Sequence, residues 1–502
     1  MPFASSNSLF NTQSLRIQEI LNKNVEVFLP ALDPAWRDTT VSSQGVGSSN
    51  LIGRDMKILK IYMGSMAGVL EMADSRDNFV LYGDNTVSNV ADKLQVQSLT
   101  NTWPDATEGA MAQPYRLGIG MKAMVSNLLV TLGEMQAEAT PAFIGEILAP
   151  KLEGHARLIA HTLCNYWYIS DNTTYKLGGV LAAVTPTYSS STNNSTIVFT
   201  PSDGNIDRYA VGMRVDLYNA SDVRQNQVGV NRVNAFVTRV DEVKNQVVVT
   251  LIGFNYTTSV TTSFYFTYAN GKGYGIAGIN SWLKKTGNLL GSDYDSANAI
   301  DVDKHPEFKS FFKSSVGTLT EHKMRQYLRG FHRAKEKYGQ YIDTLIASDG
   351  VWLNYEAQKI GQYQLDRTSK LSSLTNEGSQ EGFKFTFDGR TYTGYTSNYI
   401  ENGTVYGLRK GGANWKKYVP PSPKGTQKFD KAEAFIPFEF VAPALGYSTV
   451  KVPITKTSGT GSGNSLLTEG AQMPGMLRMQ LVPDQPAGMK LDGVTFDKVY
   501  GD

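Results

Sequence analysis

The sequence predicts an α+β protein, and three stretches of the chain support that prediction. Apolar residues occupy every second position from Tyr115 to Val125, which is the period of a β-strand. Apolar spacings of three and four follow, clearest from Lys151 to Tyr168, and indicate an amphipathic helix. Short strand-like runs between turn-forming residues then occupy Ile197 to Tyr268. Helices and strands are therefore expected in separate parts of the chain.

The composition indicates large buried surfaces. At 502 residues the chain is long enough for roughly two to four domains. Only 19% of the residues are charged, below the ~25% of ordinary soluble proteins, while 26 Tyr and 22 Phe supply aromatic surface. Interface cores are poor in charge and rich in aromatic residues, although a β-rich secreted or intracellular protein has a similar composition. The net charge of +2, without a run of Lys or Arg, argues against tight DNA binding through a basic patch.

Cysteine content and hydropathy bear on other protein classes. Cys164 is the single cysteine, so an intrachain disulfide is impossible and a reducing environment is acceptable. The apolar segments all end well before the ~18 residues of a membrane span. The stretch from Met1 to Leu9 has neither a charged n-region nor an apolar h-region, so we expect no secretory signal.

The N-terminal quarter predicts extended structure. Residues 1–50 are mostly polar and predict an arm. Residues 51–125 predict a two-stranded ribbon, formed by a strand near Met56 to Tyr62 and the strand that begins at Tyr115. Continued to Val130, the second strand would extend roughly 50 Å at ~3.3 Å per residue, too long for one compact lobe. A lone ribbon is marginally stable in water, so we expect a partner to order it.

A helix is expected after the ribbon. Thr140 can serve as its N-cap, and Pro141 fits the first helical position. Pro150 lacks an N–H donor and crowds the preceding turn, so it predicts a kink or a break. Beyond it, we expect an apolar stripe to be buried, formed by Leu152, Ala156, Ile159, Ala160, Leu163 and Trp167.

Residues 271–380 return to mixed helix and strand. Thr318 and Glu321 have the spacing of a capping box. The elements predicted after them are a helix that ends near Gly339, a strand from Ile342 to Ala347, a turn from Ser348 to Gly350 and a helix from Val351 to Ile360. Farther along, Asp388-Gly389 and Asn402-Gly403 are predicted hairpin turns.

A protruding ribbon joined to a long helix resembles the extended loop and spine helix of tailed-bacteriophage major capsid proteins, which have the Hong Kong phage type capsid fold. The segments Gly212 to Tyr218 and Val240 to Thr250 resemble the small β-barrel insertions of some members. The helix, strand and helix after Thr318 resemble their axial domain. The resemblance implies the following division: N-terminal arm 1–50, extended β-ribbon loop 51–125, peripheral domain with long spine helix 126–185, inserted small all-β domain 186–270, axial α/β domain 271–380, peripheral-domain strands 381–445 and C-terminal segment 446–502.

The same resemblance implies a structural protein rather than an enzyme. Copies of the chain would assemble as hexamers and pentamers into the icosahedral head shell of the virion, within the host bacterial cytoplasm. Scaffolding, portal and decoration or cement proteins would be further partners. The shell would enclose double-stranded DNA without sequence-specific binding, and the resemblance implies no membrane, metal or cofactor. The candidate subunit-interface residues lie at a loop tip and in the ribbon: Trp103, Pro104, Tyr115, Arg116, Leu117 and Ile119.

Two other functions fit parts of the sequence. The β-rich region and the many tyrosines also suit a phage or envelope-associated carbohydrate-binding or carbohydrate-active protein. Gly273-Tyr-Gly275-Ile-Ala-Gly278 matches a dinucleotide-binding motif. However, the strands before this motif read as antiparallel, and no parallel βαβ array follows it. We therefore interpret the motif as a glycine-rich loop at a domain junction.

Neither a metal site nor a catalytic motif is expected. The histidines lack the matching ligands that a structural zinc site needs: His155, His161, His305, His322 and His332. The loop from Asp301 to His305 could hold a cation, but its composition is ordinary for a surface loop. The sequence contains no nucleophile elbow, zinc-protease motif or P-loop. A hydrolase built on two distant carboxylates would leave no such motif.

Overall fold

The computed structural model describes a large part of the chain. The described residues are 24, 27–28, 32–33, 40–42, 56–61, 115–120, 122–131, 149–169, 175–229, 231–289, 300–363, 383–409, 415–418, 438–440, 452–453, 467–468, 470–483 and 487–497. They combine helices and strands, which confirms the predicted mixture. The loop from 99 to 109 and the predicted helix start at Thr140 lie outside the described residues.

The α-helices of the described ranges are α1, Ala149–Tyr168; α2, Ile279–Trp282; α3, Glu321–Lys335; and α4, Asp349–Tyr363. A short 3-10 helix, Glu336–Tyr338, continues α3. It ends at Gly339, which has a positive φ of 69°. A left-handed glycine is a common helix end, as the sequence predicted here.

Helix α1 lies inside the core. It begins at Ala149, so Pro150 lies in its first turn. A proline costs little there because its missing N–H would have no helical partner. The predicted kink or break also involves the residues before Ala149, which lie outside the described residues. The predicted stripe is buried from Ala156 to Trp167, with Leu163 only 1% exposed. The polar residues Thr162 and Asn165 are buried as well, so the end of α1 is covered on several sides.

A seven-stranded sheet follows α1. Its strands, in spatial order, are Gly178–Gly179, Tyr265–Tyr268, Arg214–Tyr218, Ala235–Asp241, Gln246–Leu251, Asn194–Phe199 and Thr187–Ser189. Neighbouring strands run antiparallel. Phe199 stacks on Phe266 with 4.4 Å between ring centroids, in one core with Leu163 of α1. The short strands predicted between Ile197 and Tyr268 are therefore confirmed.

A six-stranded mixed sheet carries α3 and α4. Its strands, in spatial order, are Phe311–Lys313, Met489–Leu491, Val405–Leu408, Thr344–Ala347, Arg390–Thr396 and Phe383–Phe387. Leu328 and Phe331 of α3 share a core with Val351 of α4 and with Leu345 and Val405 of the sheet. The sheet thus draws its strands from three segments that the sequence analysis treated separately.

The starts of α3 and α4 differ from the prediction. Thr320, rather than Thr318, caps α3, because its side-chain oxygen accepts a hydrogen bond from the Lys323 N–H at 3.3 Å. The predicted turn at 348–350 is instead the start of α4, which begins at Asp349. An acidic residue in the first turn is favourable beside the partial positive charge of a helix N-terminus.

One predicted hairpin turn is confirmed and the other is wrong. Asp388 and Gly389 have positive φ values of 55° and 74° and join the antiparallel strands Phe383–Phe387 and Arg390–Thr396. Asn402-Gly403 does not join paired strands, because Thr344–Ala347 lies between the strands on either side of it. Turn residues reveal a turn but not which strands pair around it.

The long strand predicted from Tyr115 to Val130 is two strands with different partners. Tyr115–Gly120 pairs antiparallel with Met56–Ile61, and we call this pair the ribbon. Lys122–Thr131 pairs instead with Gly470–Pro483. The other strands of that five-stranded sheet are Thr40–Ser42, Trp415–Tyr418 and Phe438–Phe440. Two further strand pairs are Gln227–Val228 with Asn231–Arg232 and Val452–Pro453 with Leu467–Thr468.

Candidate subunit interface

The ribbon contains four of the six candidate interface residues: Tyr115, Arg116, Leu117 and Ile119. In the register, Leu117 is opposite Leu59 and Arg116 is opposite Lys60. Along the strand, the three apolar candidates alternate with Arg116 and Gly118. Trp103 and Pro104 lie outside the described residues.

The five-stranded sheet next to the ribbon is held by one long strand from near the C-terminus. Gly470–Pro483 has 14 residues, and its pairing with Lys122–Thr131 runs from Gly470 opposite Thr131 to Met479 opposite Lys122. Sequence reasoning had found no role for the C-terminal segment. Its pairing with Lys122–Thr131 connects it to the strand that directly follows the ribbon.

The N-terminal segment contacts its own chain at Asp33. The Asp33 side chain is 0% exposed and accepts a hydrogen bond from the Tyr168 hydroxyl at 3.0 Å and another from the Ser397 hydroxyl. The guanidinium of Arg157 lies 5.1 Å from the centre of the Phe28 ring. At these positions the predicted arm therefore lies on α1 and on the six-stranded sheet.

A buried cluster of polar groups, which we call the polar junction, joins the two large sheets and α1. Its side chains belong to His161, Asn165, Asp203, Asn205 and Arg208. The Asn205 amide donates to the carbonyl oxygens of Asn398 and Ile400 at 2.8 and 2.7 Å. These bonds connect a turn of the seven-stranded sheet to the segment that leaves the six-stranded sheet.

Arg208 is the buried cation of the polar junction. It is 4% exposed, and its Nε and Nη1 atoms donate to the carbonyl oxygens of Tyr399 and Leu177, each at 2.9 Å. Its Nη1 atom also lies 3.1 Å from Asp203 Oδ2. This is an ionic contact without hydrogen-bond alignment, since Oδ2 has no hydrogen-bond partner among the described residues. The carbonyl contacts therefore contribute the directional part of the interaction.

Helix α1 closes the polar junction from the other side. The Asn165 amide donates to the Arg208 carbonyl oxygen at 2.9 Å and to the Tyr268 hydroxyl at 2.6 Å. His161 Nε2 is 2.9 Å from the Asp207 carbonyl oxygen, which can only accept, so this nitrogen carries the proton. Burial lowers the pKa of His161, and the bond to Asp207 opposes the change only in part.

The electrostatics of the polar junction fit a structural role. Burial raises the pKa of Asp203, although the neighbouring Arg208 pulls it down. The hydrogen bonds of Arg208 and Asn205 join the turn after Pro201 to Leu177 and to the segment from Asn398 to Ile400. The arrangement can resist movement between the sheets.

The glycines of the motif at 273–278 are explained by packing. A Cβ atom at Gly278 would overlap the carbonyl oxygen of Tyr166 in α1, and one at Gly275 would overlap the rings of Tyr166 and Tyr175. Gly273 has a positive φ of 73°. The helix after the motif, α2, has four residues, and the strand before it belongs to an antiparallel sheet. These features support the interpretation as a junction loop rather than a dinucleotide site.

The acidic loop near His305 is held by its own chain. Asp303 Oδ1 is 2.8 Å from Lys309 Nζ, and Asp301 Oδ1 accepts from the Asp303 N–H at 3.0 Å. Within the described ranges, no group of three or more His, Cys, Asp or Glu side chains is placed to hold a metal ion. None of the helices described here combines the length and apolar character needed to cross a bilayer.

Sequence reasoning did not single out Asn205, Arg208 or Asp33. Pro201 to Gly204 form a turn, in which the Gly204 N–H donates to the Pro201 carbonyl oxygen at 3.0 Å. A further signal was available in the polar residues that follow it. Asp203 Oδ1 accepts from the Asn205 N–H at 3.2 Å, and Asn205 Oδ1 accepts from the Asp207 N–H at 3.0 Å. Such local bonds are typical of Asx turns, but they do not reveal the distant partner.

Comparison with known proteins gave structural neighbours only. No protein-family model and no curated protein matches the sequence. A chain of the cyanophage A-1(L) capsid asymmetric unit aligns with 91% of this chain and 91% of its own length, at 10% identity and a TM-score of 0.37. A chain from Mycobacterium phage Patience aligns with 98% of this chain and 89% of its own, at 8% identity and a TM-score of 0.30.

The third neighbour is the holo-SrpI encapsulin complex from Synechococcus elongatus PCC 7942. It aligns with 38% of this chain and 55% of its own, at 13% identity and a TM-score of 0.20. Two of the three neighbours come from phages. All three TM-scores are below 0.5, so the alignments carry no argument about function, which has to rest on the residues and their geometry.

Proposed function

We propose that this chain is the major capsid protein of a tailed double-stranded DNA bacteriophage, with the Hong Kong phage type fold. The ribbon is the observation that carries the proposal. Among the residues that the structure describes, it is a separate two-stranded sheet, and its strands, Met56–Ile61 and Tyr115–Gly120, are far apart in sequence. Two strands alone bury too little surface to be stable in water. A neighbouring copy of the chain would supply the missing contact area.

The other parts of the chain fit the same proposal. We assign α1 as the spine helix, the seven-stranded sheet as the inserted domain, and the six-stranded sheet with α3 and α4 as the axial domain. The polar junction supports this assignment, because a shell subunit has to keep its domains in a fixed relation while it transmits contacts. The domain boundaries after residues 50, 125, 185, 270, 380 and 445 are also part of this proposal.

Assembly would proceed through copies of this chain in hexamers and pentamers. Scaffolding, portal and decoration or cement proteins are the further partners we propose, and assembly would take place in the host cytoplasm. The shell would enclose the DNA without reading its sequence. In this proposal the chain has no catalytic role and needs no cofactor.

A deletion tests the interface assignment. We expect that removing residues 101–109, which include Trp103 and Pro104, leaves a folded protomer that fails to form shells. Deleting the Ser/Gly-rich stretch 458–463 is the matched control, and that variant is expected to assemble. Both variants and the unaltered chain are expressed with and without a scaffolding protein, then examined by negative-stain microscopy and sedimentation.

The outcomes separate the candidate functions. Normal shells from the 101–109 deletion would contradict the role of that loop. An unaltered chain that stays monomeric under all these conditions and binds glycans would support the carbohydrate-binding alternative instead.

A further inference from the structure

One face of α3 and the short helix after it is basic. Arg325, Arg329, Arg333 and Lys337 occur at every fourth position and are all exposed, and we call these four residues the basic face. Residues four apart lie one above the other on a helix, so the charges form a stripe. Arg325 is paired with Glu321. Among the described residues, no carboxylate forms an ion pair with Arg329 or Arg333.

Two arginines of the basic face are held in place by an aromatic ring. The guanidinium carbons of Arg325 and Arg329 lie 5.4 and 4.9 Å from the centre of the Phe387 ring. Phe387 is itself 8% exposed. Cation–π contact orders these long side chains before any partner arrives, which lowers the entropy lost on binding. Arginine is also enriched at protein interfaces, whereas lysine is depleted there.

An acidic surface lies on α4 in the same sheet-and-helix unit. Asp349, Leu353 and Glu356 follow one another at helical spacing, and Asp497 lies beside the first turn. The Asp497 N–H donates to the Gly350 carbonyl oxygen at 3.0 Å. Two large apolar side chains of the same segments are exposed, Leu353 at 44% and Phe496 at 37%. We call this surface the acidic face: Asp349, Leu353, Glu356, Phe496 and Asp497.

We propose that the basic face of one copy docks on the acidic face of a second copy. Four cations would meet three carboxylates, and the exposed Leu353 and Phe496 would be covered by the aliphatic stems of the arginines. Because the two faces differ, the contact is head-to-tail and closes into a ring when the rotation between copies allows it. This inference deepens the proposed function and rests on it.

Double-stranded DNA is the other polyanion that the basic face could contact. The carboxylates of Glu321 and Glu336 lie on or beside this face, and Glu336 pairs with Arg390. Fixed negative charges among the cations oppose a phosphate backbone, whereas a protein surface can place its own groups around them. A second copy therefore fits better.

Charge reversal tests the contact. Arg329→Glu with Arg333→Glu reverses the basic face, and Glu356→Lys with Asp497→Lys reverses the acidic face. Each double variant should require about tenfold or more higher protein concentration to form rings or shells, because close charge pairs across interfaces couple strongly. The quadruple variant should recover assembly, since opposite charges face each other again.

The control changes equal charge elsewhere. Arg239 and Lys304 have side chains that are 61% and 79% exposed and lie far from both faces in sequence. Arg239→Glu with Lys304→Glu should assemble normally. Sedimentation velocity gives the assembled fraction, and far-UV circular dichroism checks folding. If a reversal variant misfolds, Arg329→Gln with Arg333→Gln is expected to give a smaller loss of assembly that grows at low salt.

The possible results are distinct. Normal assembly of either reversal double variant overturns the contact. If a reversal variant misfolds, normal assembly of the glutamine variant overturns it instead. A quadruple variant that folds but does not recover assembly overturns it as well. Loss of binding to a double-stranded DNA fragment with assembly intact assigns the basic face to DNA. If the unaltered chain forms rings but never shells, the capsid proposal is refuted. The contact between the two faces can still be tested, because the charge-reversal variants can be compared for ring formation. A chain that never self-associates refutes both.

Discussion

Replacing Arg208 by alanine tests whether the polar junction holds the two large sheets together. The substitution removes two charge-assisted hydrogen bonds, to the carbonyl oxygens of Tyr399 and Leu177, each 2.9 Å long. A hydrogen bond from a charged group contributes about 1.5 kcal/mol or more, so the expected loss in the free energy of unfolding is about 3 kcal/mol. That is a large part of the ~5–15 kcal/mol that stabilises a typical domain.

The loss should depend on pH. Burial raises the pKa of Asp203 above its unfolded value, and Arg208 opposes that rise. Without Arg208 the pKa of Asp203 rises further, so the folded chain holds this proton to a higher pH than the unfolded chain does. Protonation of Asp203 therefore stabilises the folded chain. This contribution is complete below the pKa that Asp203 has in the unfolded chain, and it is lost as the pH rises through the pKa that Asp203 has in the folded chain. Arg208→Ala should therefore lose more stability at pH 8 than at pH 5.

Guanidinium chloride unfolding, followed by tryptophan fluorescence at both pH values, measures the effect. Arg239→Ala is the matched control: Arg239 is an arginine of the same sheet, its side chain is 61% exposed, and its Nη2 atom lies 3.4 Å from Asp241 Oδ2. Exposed pairs contribute about 0–1 kcal/mol. A loss for Arg208→Ala below about 1 kcal/mol, or no greater than that of the control, would refute the reasoning.

Two further substitutions test the packing around α1. Gly278→Ala places a methyl group onto the backbone of α1 and should lower the unfolding midpoint sharply. Gly273→Ala meets open space and should cost about 1 kcal/mol, because its φ is positive. Equal midpoints for the two variants would contradict the close approach of Gly278 to α1. Leu163→Asp buries an unpaired charge and should give insoluble or unfolded protein, whereas Leu158→Asp, at a 38% exposed position of the same helix, should stay soluble. A soluble, native-like Leu163→Asp variant would show that the buried face of α1 is wrongly assigned.

Local patterns predicted the elements that depend on local physics. The spacing of Ala156, Ile159 and Leu163 predicted the buried face of α1, because a helix buries residues three and four apart. The short run of β-branched residues from Val247 to Thr250 predicted a strand, because such residues between turn-forming stretches favour strands. Asp388-Gly389 predicted a hairpin because both positions need a positive φ.

Long-range pairing could not be predicted in the same way. The apolar alternation continues through Met121, yet the residues on either side pair with segments near Met56 and near Gly470. Nothing within the strand itself distinguishes these partners, because a period-two pattern fixes a face and not a neighbour. The polar junction was missed for a related reason: Asn205 binds carbonyl oxygens at 398 and 400, and a carbonyl group belongs to every residue type.

The contrast between the polar junction and the ribbon bears on where the chain needs a partner. At the polar junction, Arg208 and Asn205 connect three elements through buried hydrogen bonds, and the neighbouring end of α1 is buried as well. Movement between these elements would leave buried donors unsatisfied, which is costly. Within the described residues, the pairing of its two short strands is the contact that holds the ribbon. Contacts between copies would therefore stabilise the ribbon far more than the polar junction, and the loop between its strands is where a deletion should separate folding from assembly.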